Sequence, residues 1–400
     1  MFDQVYRYPG VAARHRSGPL LKERLAFLAL LADQGYGRRA LIQRAEMLLV
    51  LARMRGLTGR HREAVTLSEV KRKTAYRRGL FPLAVGWLQF MGRLQQPPVP
   101  PTPWARKIKE FADYMEHEAA LSPVTIYHRC LRVGRFLEQL GVKGGSLHAI
   151  TPHRIDMAFQ KMLEPGGYSR TTIQGFAGTL RAFFRFAEAR GWCRIGLAAS
   201  IRNPRVYSQA SLPLGPSWDD VRRLLAMTEG DKPSNIRNRP ILMLLAIYGL
   251  RCGEVSRLRL DDFDWEHEVF HVVSSKSGRV RTYPLTRSVG DAILRYLKEV
   301  RPRSSHRALF LSLRPPFRPL RTSLGNMVRN RLRSLGVSAP HYGPHALRHA
   351  CASRLLAAGL SLKEIGDQLG HTRPESTRIY AKVDLAGLRE VADFDLGGVL

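Results

Sequence analysis

The sequence predicts a mainly helical chain with a small β-sheet in its C-terminal part, which is an α+β fold. Apolar residues recur at three- and four-residue spacing in segments such as LLKERLAFLALLADQG, and this is the period of an amphipathic helix. The run VFHVV and the run VRTYP are instead alternating or β-branched, and a glycine-containing turn separates them. Proline-rich stretches interrupt the chain twice, which indicates three parts.

The two interruptions set the predicted domain boundaries. QQPPVPPTP at 95–103 cannot continue a helix because proline lacks the backbone donor, and NPRVYSQASLPLGPS at 203–217 is a second proline-punctuated connector. We therefore predict a helical N-terminal extension at 1–94, whose role the sequence leaves open. A second helical domain at 104–202 and a mixed α/β domain at 216–400 complete the prediction.

Helix ends and core segments can be predicted inside these parts. SPVTIYHRCLRVGRFLEQLG and SRTTIQGFAGTLRAFFRFAEARG each begin with a serine that can cap a helix, and each ends at a glycine. In the third part SWDDVRRLLAMT opens a helix, and the nearly all-apolar NRPILMLLAIYGL predicts a buried one. The hairpin strands are expected at 269–273 and 280–284, with helices resuming after them.

The charge of the chain indicates a polyanionic partner. Its 64 lysines and arginines exceed its 33 acidic residues, which gives a formal net charge of +31. The excess is spread along the chain, with +12 in residues 1–95, +8 in 96–215 and +11 in 216–400. Nucleic acid is the simplest partner for such a distribution, although an arginine-rich composition without function remains the alternative.

Cysteine usage and hydropathy predict a cytoplasmic protein without membrane contact. Four cysteines lie far apart with no CxxC pair, which is typical of reduced thiols and unlike a disulfide framework or a zinc site. The longest apolar runs, such as AFLALLA, are far shorter than the roughly 20 residues of a membrane span.

Several polar residues of the third part could carry chemistry, and each also has a structural explanation. Arg251 follows the buried helix with Glu254 three residues on, so the two could form a structural ion pair. Lys276 lies in the hairpin turn, where lysine is usually solvated. His345 and Arg348 are spaced to share one helical face near a helix N-terminus, which favours anions.

Residues 349–380 add three further candidates to this set. His349, next to Arg348, is expected to point elsewhere as a packed neighbour. His371 and Tyr380 lie in LGHTRPESTRIYAKV, where an aromatic residue could simply dock a terminal helix.

Together the residues fit a metal-free attack on a phosphodiester. An unperturbed tyrosine has a pKa near 10, so only about one molecule in a thousand is phenolate at pH 7. Such a nucleophile needs nearby cations or a base. Bidentate arginines stabilise the negative charge of the transition state, and a lysine can donate a proton to the leaving oxygen.

From about 216 to 385 the chain resembles the catalytic domain of the tyrosine recombinases, the phage integrase family. The resemblance is carried by GLRCGEVSRLRLDDFD, by the hairpin lysine before YPL, and by HALRHACASRLLAAGLSLKEIGDQLGHTRPESTRIYAKV. Residues 104–202 are similar in layout to the helical core-binding domain of that family. The extension at 1–94 exceeds the minimal family layout.

The resemblance implies a role for each of six residues. Tyr380 would attack the phosphate and form a 3′-phosphotyrosyl link, while Arg251 and Arg348 would hold the non-bridging oxygens. Lys276 would act as general acid, His345 would assist proton transfer, and His371 would hydrogen-bond the phosphate.

The resemblance also implies the partners and the biological setting. Double-stranded DNA with specific sites would be the substrate, a tetramer would assemble on paired sites, and neither a cofactor nor a metal would be needed. The enzyme would be a site-specific recombinase or integrase of a mobile element. A type IB topoisomerase-like enzyme that relaxes DNA, or a non-catalytic DNA-binding accessory protein, are the alternatives.

Overall fold

The computed structural model divides the chain into two compact units. One contains residues 97–210, and the other combines residues 1–96 with 211–400. The structure describes residues 2, 6–58, 64–95, 102–141, 146–165, 167–205, 215–274, 278–321, 323–337, 342–371 and 375–380. In these residues the chain is mostly helical with a small sheet, as the sequence predicts.

The N-terminal extension forms a helical bundle with its own core, in which Trp87 and Leu48 are fully buried. Its helices are α1 Pro9–Arg16, α2 Leu21–Asp33, α3 Arg38–Arg53, α4 Arg55–Thr58, α5 Leu67–Thr74 and α6 Leu80–Phe90. Two short strands, β1 Val65–Thr66 and β2 Leu94–Gln95, pair in parallel. The helical pattern did not indicate this pair.

The unit at 97–210 is built from helices around an aromatic core that includes Phe111, Phe136 and Phe183. Its helices are α7 Ala105–His117, α8 Pro123–Gln139, α9 Pro152–Leu163, α10 Arg170–Ala189 and α11 Leu197–Ser200. The predicted caps are confirmed, because the hydroxyls of Ser122 and Ser169 accept the first-turn backbone N–H groups at 3.4 and 3.3 Å.

The C-terminal segment surrounds a buried central helix. This helix, α13 Pro233–Ala246, is apolar on all sides of its C-terminal half, as its sequence predicts. The other helices are α12 Trp218–Ala226, α14 Cys252–Val255, α15 Arg287–Arg295, α16 Ser323–Ser334, α17 Pro344–Ala357, α18 Leu362–Leu369 and α19 Glu375–Arg378. A 3₁₀ turn at Leu260–Asp262 and a π turn at Tyr296–Val300 complete the helical elements.

The small sheet of the C-terminal segment has three antiparallel strands in the order β3, β4, β5. They span Phe263–Asp264, Val269–Val273 and Val280–Pro284. The two hairpin strands therefore have the predicted bounds, and Phe270 opposite Tyr283 fixes their register. The inward residues of β4 pack on the core, because side chains alternate between the faces of a strand.

Helices resume after the hairpin with α15, as predicted, but an irregular segment follows the π turn. Between the π turn and α16, residues 301–321 run in irregular structure that contains only isolated bridges, such as Leu311 with Pro319. Prolines at 302, 315, 316 and 319 explain this, because proline removes the donors that a helix needs. Residues 381–400 lie outside the described part of the chain, as does most of each proline-rich connector.

Within the described ranges, no helix combines the length and apolarity that a membrane crossing requires.

Candidate active site

Arg251 is held at the start of a short helix by its own neighbour. The backbone N–H of Arg251 donates to Glu254 Oε2 at 2.8 Å, and its Nη1 donates to Glu254 Oε1 at 3.0 Å. The Glu254 side chain is fully buried, whereas 26% of the Arg251 side chain is exposed. The ion pair that the spacing predicts is thus present, and it leaves part of the guanidinium accessible.

Arg348 lies on α17, which starts at Pro344, and is buried with 5% exposure. Its two terminal nitrogens donate to Gly249 O and Leu369 O, each at 2.6 Å. Burial lowers the pKa of Arg348 to about 10, and the positive charge of Arg251 acts in the same direction. The guanidinium still remains charged at neutral pH, and backbone carbonyls fix its orientation.

The two arginines meet at one turn, although they are far apart in sequence. Arg251 Nη2 donates to Gly370 O at 3.0 Å, and Arg348 Nη2 donates to the preceding carbonyl, that of Leu369. This turn ends α18 and leads directly to His371. The fold therefore gathers two guanidinium groups beside a histidine.

His371 is held against α19. Its backbone N–H donates to Gly366 O at 2.8 Å, and its Nδ1 lies 2.7 Å from the Thr377 hydroxyl. Burial, followed by the positive charges of Arg348 and Arg251, lowers the pKa of His371 to about 4. The imidazole is therefore neutral at pH 7 and can offer one donor and one acceptor nitrogen.

Tyr380 is buried with 2% exposure, in a cluster that includes Cys351 and Ile365. Its hydroxyl lies 2.9 Å from His349 Nδ1. Burial raises the pKa of Tyr380 to about 12, although the nearby charge of Arg348 opposes this. The phenol is therefore protonated in this arrangement, and a nucleophilic role would require that its proton be removed.

His349 corrects the sequence interpretation of this helix. It was expected to be a packed neighbour that points away from the site, but it is the side chain that contacts the Tyr380 hydroxyl. The residue lies next to Arg348 on α17, and helix geometry alone does not show which of two adjacent side chains faces a segment 31 residues later.

The remaining two candidate residues occupy different surroundings. His345 is exposed at the first turn of α17, whereas Arg348 on the same helix is buried, so their shared spacing does not give them a shared environment. Lys276 lies outside the described residues, between β4 and the described end of the turn at Gly278.

Sequence reasoning also missed Arg281 on β5, whose side chain is 16% exposed and contacts Glu254. The signal was the alternation of the strand. Val280 and Thr282 are exposed, so Arg281 and Tyr283 share the inward face, where a charged residue is unusual.

The arrangement concentrates positive charge where a phosphate could bind. Arg251 and Arg281 both form ion pairs with the carboxylate of Glu254, and the charge of Arg348 interacts with the same carboxylate. Burial would raise the pKa of this carboxyl, but the Arg251 backbone N–H and the guanidiniums of Arg281 and Arg251 hold its pKa below the usual value. Among the described residues, no cluster of three or more His, Cys, Asp and Glu side chains could hold a metal ion.

Comparisons with known families match two regions of the chain. The profile described as Phage integrase family matches residues 217–386, and the profile described as Phage integrase, N-terminal SAM-like domain matches residues 108–191.

The relatives agree with these matches. The chain is 41% identical over 215 residues to a putative integrase/recombinase, y4rA, of Sinorhizobium fredii, covering 53% of this chain and 52% of that protein. It is 33% identical over 294 residues to the tyrosine recombinase XerC of Alcanivorax borkumensis, covering 72% of this chain and 92% of that protein.

A solved structure supports the fold. The Tn1549 transposon integrase in complex with circular intermediate DNA aligns with a TM-score of 0.54 and 22% identity, over 72% of this chain and 99% of that one.

Proposed function

This chain belongs to the phage integrase family and is a tyrosine recombinase that breaks and rejoins DNA, and we propose that Tyr380 is its nucleophile. The observation that carries the proposal is the convergence of Arg251 and Arg348 on the consecutive carbonyls of Gly370 and Leu369. Guanidiniums fixed in this way are preorganised for a phosphate, since they need little rearrangement when charge develops.

The proposed reaction exchanges one phosphodiester for another. The Tyr380 oxygen forms a bond to the scissile phosphorus while the bond from phosphorus to the 5′-oxygen breaks. The product is a 3′-phosphotyrosyl link and a free 5′-hydroxyl, and the reverse reaction with another 5′-hydroxyl rejoins the strands. Arg251 and Arg348 neutralise the non-bridging oxygens, and His371 hydrogen-bonds one of them.

Two proton transfers accompany this exchange. Tyr380 transfers its phenol proton to His349, whose Nδ1 lies 2.9 Å from the hydroxyl oxygen. The leaving 5′-oxygen gains a proton, which we assign to Lys276, with His345 assisting. In the sequence Lys276 falls between β4 and β5, outside the described residues.

The general acid can be tested by changing the leaving group. Lys276→Ala should cleave a normal substrate at least about 10²-fold more slowly, which is the usual contribution of general acid catalysis. A substrate with sulfur in place of the bridging 5′-oxygen should restore the rate, because a thiolate leaves without a proton. If Lys276→Ala is equally impaired on both substrates, the assignment is wrong.

The family and the positive net charge of the chain indicate its partners. We propose that the enzyme binds specific double-stranded sites, assembles as a tetramer on two paired sites, and moves a mobile element. The net charge of +31 and the likeness to a transposon integrase support this setting. We also propose a cytoplasmic location, which the four unpaired cysteines support.

The decisive test of function uses two plasmid-borne copies of the DNA that flanks the coding sequence. Purified protein should exchange the segments between the copies, and excess EDTA should not prevent the exchange, because guanidinium and ammonium groups neutralise the phosphate. Relaxation of the plasmid without exchange would favour the topoisomerase-like alternative. An absolute need for a divalent ion in strand cleavage would contradict the mechanism.

A further inference from the structure

Arg281 and Arg251 share one buried carboxylate. Glu254 Oε1 accepts Arg251 Nη1 at 3.0 Å and Arg281 Nη2 at 2.8 Å. The two arginines come from different elements, since one precedes α14 and the other lies on β5. Because the Glu254 side chain is fully buried, neither bond is weakened by competition from bulk water.

Arg281 also holds the turn that Arg251 contacts. Its Nη1 donates to Gln368 O at 3.3 Å and to the Tyr283 oxygen, and the Tyr283 hydroxyl donates to the same Gln368 carbonyl at 2.6 Å. Two residues later, Gly370 O accepts Arg251 Nη2. Arg281 is thus bonded to both supports of the Arg251 guanidinium, which are Glu254 on one side and this turn on the other.

The backbone at Gly370 is adapted to this approach. Gly370 has φ +67°, in the left-handed region, and a Cβ atom there would lie 2.5 Å from Arg281 Nη1. Any side chain at this position would therefore displace the guanidinium. The close packing of Arg281 on the turn is a second feature, independent of the ion pair, that fixes its position.

A purely structural ion pair does not explain the arrangement. One carboxylate faces two guanidiniums with Arg348 nearby, so the cluster keeps excess positive charge in a partly buried place. Arg281 Nε is also buried without a hydrogen-bond partner among the described residues. Such repulsion and desolvation cost free energy, and this cost is offset where an anion binds the cluster.

We propose that Arg281 is a positioning residue for strand cleavage, an inference that rests on the proposed function above. Arg281 fixes Glu254 and the turn at 368–370, so that the Arg251 guanidinium keeps one orientation toward the phosphate. Without Arg281, both Glu254 oxygens are available to Arg251 alone, and the guanidinium can turn away from the substrate. The loss would fall on the reaction step rather than on DNA binding.

The first test measures single-turnover formation of the covalent adduct at saturating protein. The probe is a set of nicked duplexes tiled from the DNA that flanks the coding sequence. Arg281→Ala should slow adduct formation about 10- to 100-fold, the usual effect of losing a residue that orients a reactive group, with DNA affinity almost unchanged. Arg287→Ala removes a charge from an exposed neighbouring site and should match the wild-type rate.

A double-mutant cycle distinguishes positioning from general destabilisation. Because Arg281 acts through Arg251, the variant Arg251→Ala/Arg281→Ala should be no slower than Arg251→Ala alone. Rate losses that multiply would overturn the proposal. If Arg281→Ala lowers the melting temperature strongly, Arg281→Lys serves instead, because it keeps the charge beside Glu254 but cannot also reach the turn, and it should show the same non-additive loss.

The outcomes for this inference and for the proposed function are separate. If the wild-type protein forms no adduct on any of the tiled duplexes, the proposed function fails. If the wild-type protein forms the adduct and Arg281→Ala forms it equally fast, only the role of Arg281 is refuted.

Discussion

Single residues in this site are held mainly by the backbone. Arg348 donates to two carbonyls, and Arg251 donates to a third while a buried carboxylate holds its other nitrogen. Arginine presents a planar fork of donors, so contacts to some nitrogens fix the direction of the rest. The positions of the charges are thereby set by the fold before a substrate binds.

The contact between His349 and Tyr380 gives a first prediction. The Nδ1 of His349 contacts the Tyr380 hydroxyl, whose pKa is raised to about 12 by burial, so the phenol depends on a nearby acceptor for its proton. We expect His349→Ala to slow adduct formation about 10²-fold, as loss of an acid–base group typically does, and His349→Gln to be similarly slow because an amide is not basic. Faster cleavage by either variant would show instead that the contact restrains the nucleophile.

His371 predicts a pH dependence of stability. Burial, followed by the charges of Arg348 and Arg251, lowers the pKa of His371 to about 4, below the unfolded value near 6.5. The unfolded chain therefore binds more protons between these values, and stability contributed by neutral His371 is lost as pH falls from about 6.5 to 4. His371→Asn should reduce the fall in melting temperature over this window. An unchanged fall would refute the claim.

Elements differ in how far the sequence could predict them. The strands β4 and β5 were predicted with their bounds, because alternation and β-branching are local signals. The β1–β2 pair was not, since two-residue parallel strands depend on contacts between distant segments. The prolines of residues 301–321 could have predicted the irregular structure of this segment. The directions in which the His349 and Arg281 side chains point depend on how α17 and β5 pack. Residue spacing alone does not predict this packing.

The turn before Arg251, which contains Gly249, provides a prediction about stability. Gly249 has φ +61°, and a Cβ atom there would overlap Leu369 and approach Cys351 Sγ at 3.1 Å. Gly249→Ala should therefore lower the free energy of unfolding by on the order of 2–4 kcal/mol, because overpacking adds to the strain of the left-handed backbone. Its carbonyl accepts Arg348, so cleavage should slow as well.

Gly336→Ala is the matched control for this turn. Gly336 has φ +65°, and an added Cβ atom would meet nothing within 4 Å. The control should lose only the strain contribution, about 1–2 kcal/mol, and should keep the wild-type cleavage rate. Urea denaturation of both variants compares them, and equal losses would contradict the tight packing inferred at Gly249.

For the whole molecule, the extension is the least explained part. Its helices bury an apolar core, yet Lys71, Arg72 and Arg77 are exposed on and after α5. The extension could contact DNA or could dock one protomer on another. We favour DNA contact, because packing of the apolar core does not explain the exposed positive charge.

Replacing Lys71, Arg72 and Arg77 with alanine tests this explanation. If all three contact phosphates, the log–log slope of DNA affinity against salt should fall by up to about 2.7, which is about 0.9 for each contact. Adduct formation at saturating protein should persist, because the candidate catalytic residues lie beyond 216. An unchanged salt slope combined with failure to pair two sites would favour docking.

The central claim is that Tyr380 forms the covalent bond to DNA. The most direct measurement is to trap the adduct on a nicked duplex, digest the protein, and identify the peptide that carries the nucleotide by mass spectrometry. We expect the nucleotide on Tyr380, and Tyr380→Phe should give no adduct while still binding the duplex, because only the nucleophilic oxygen is removed. A nucleotide on another residue, or an adduct of normal yield from Tyr380→Phe, would contradict the account.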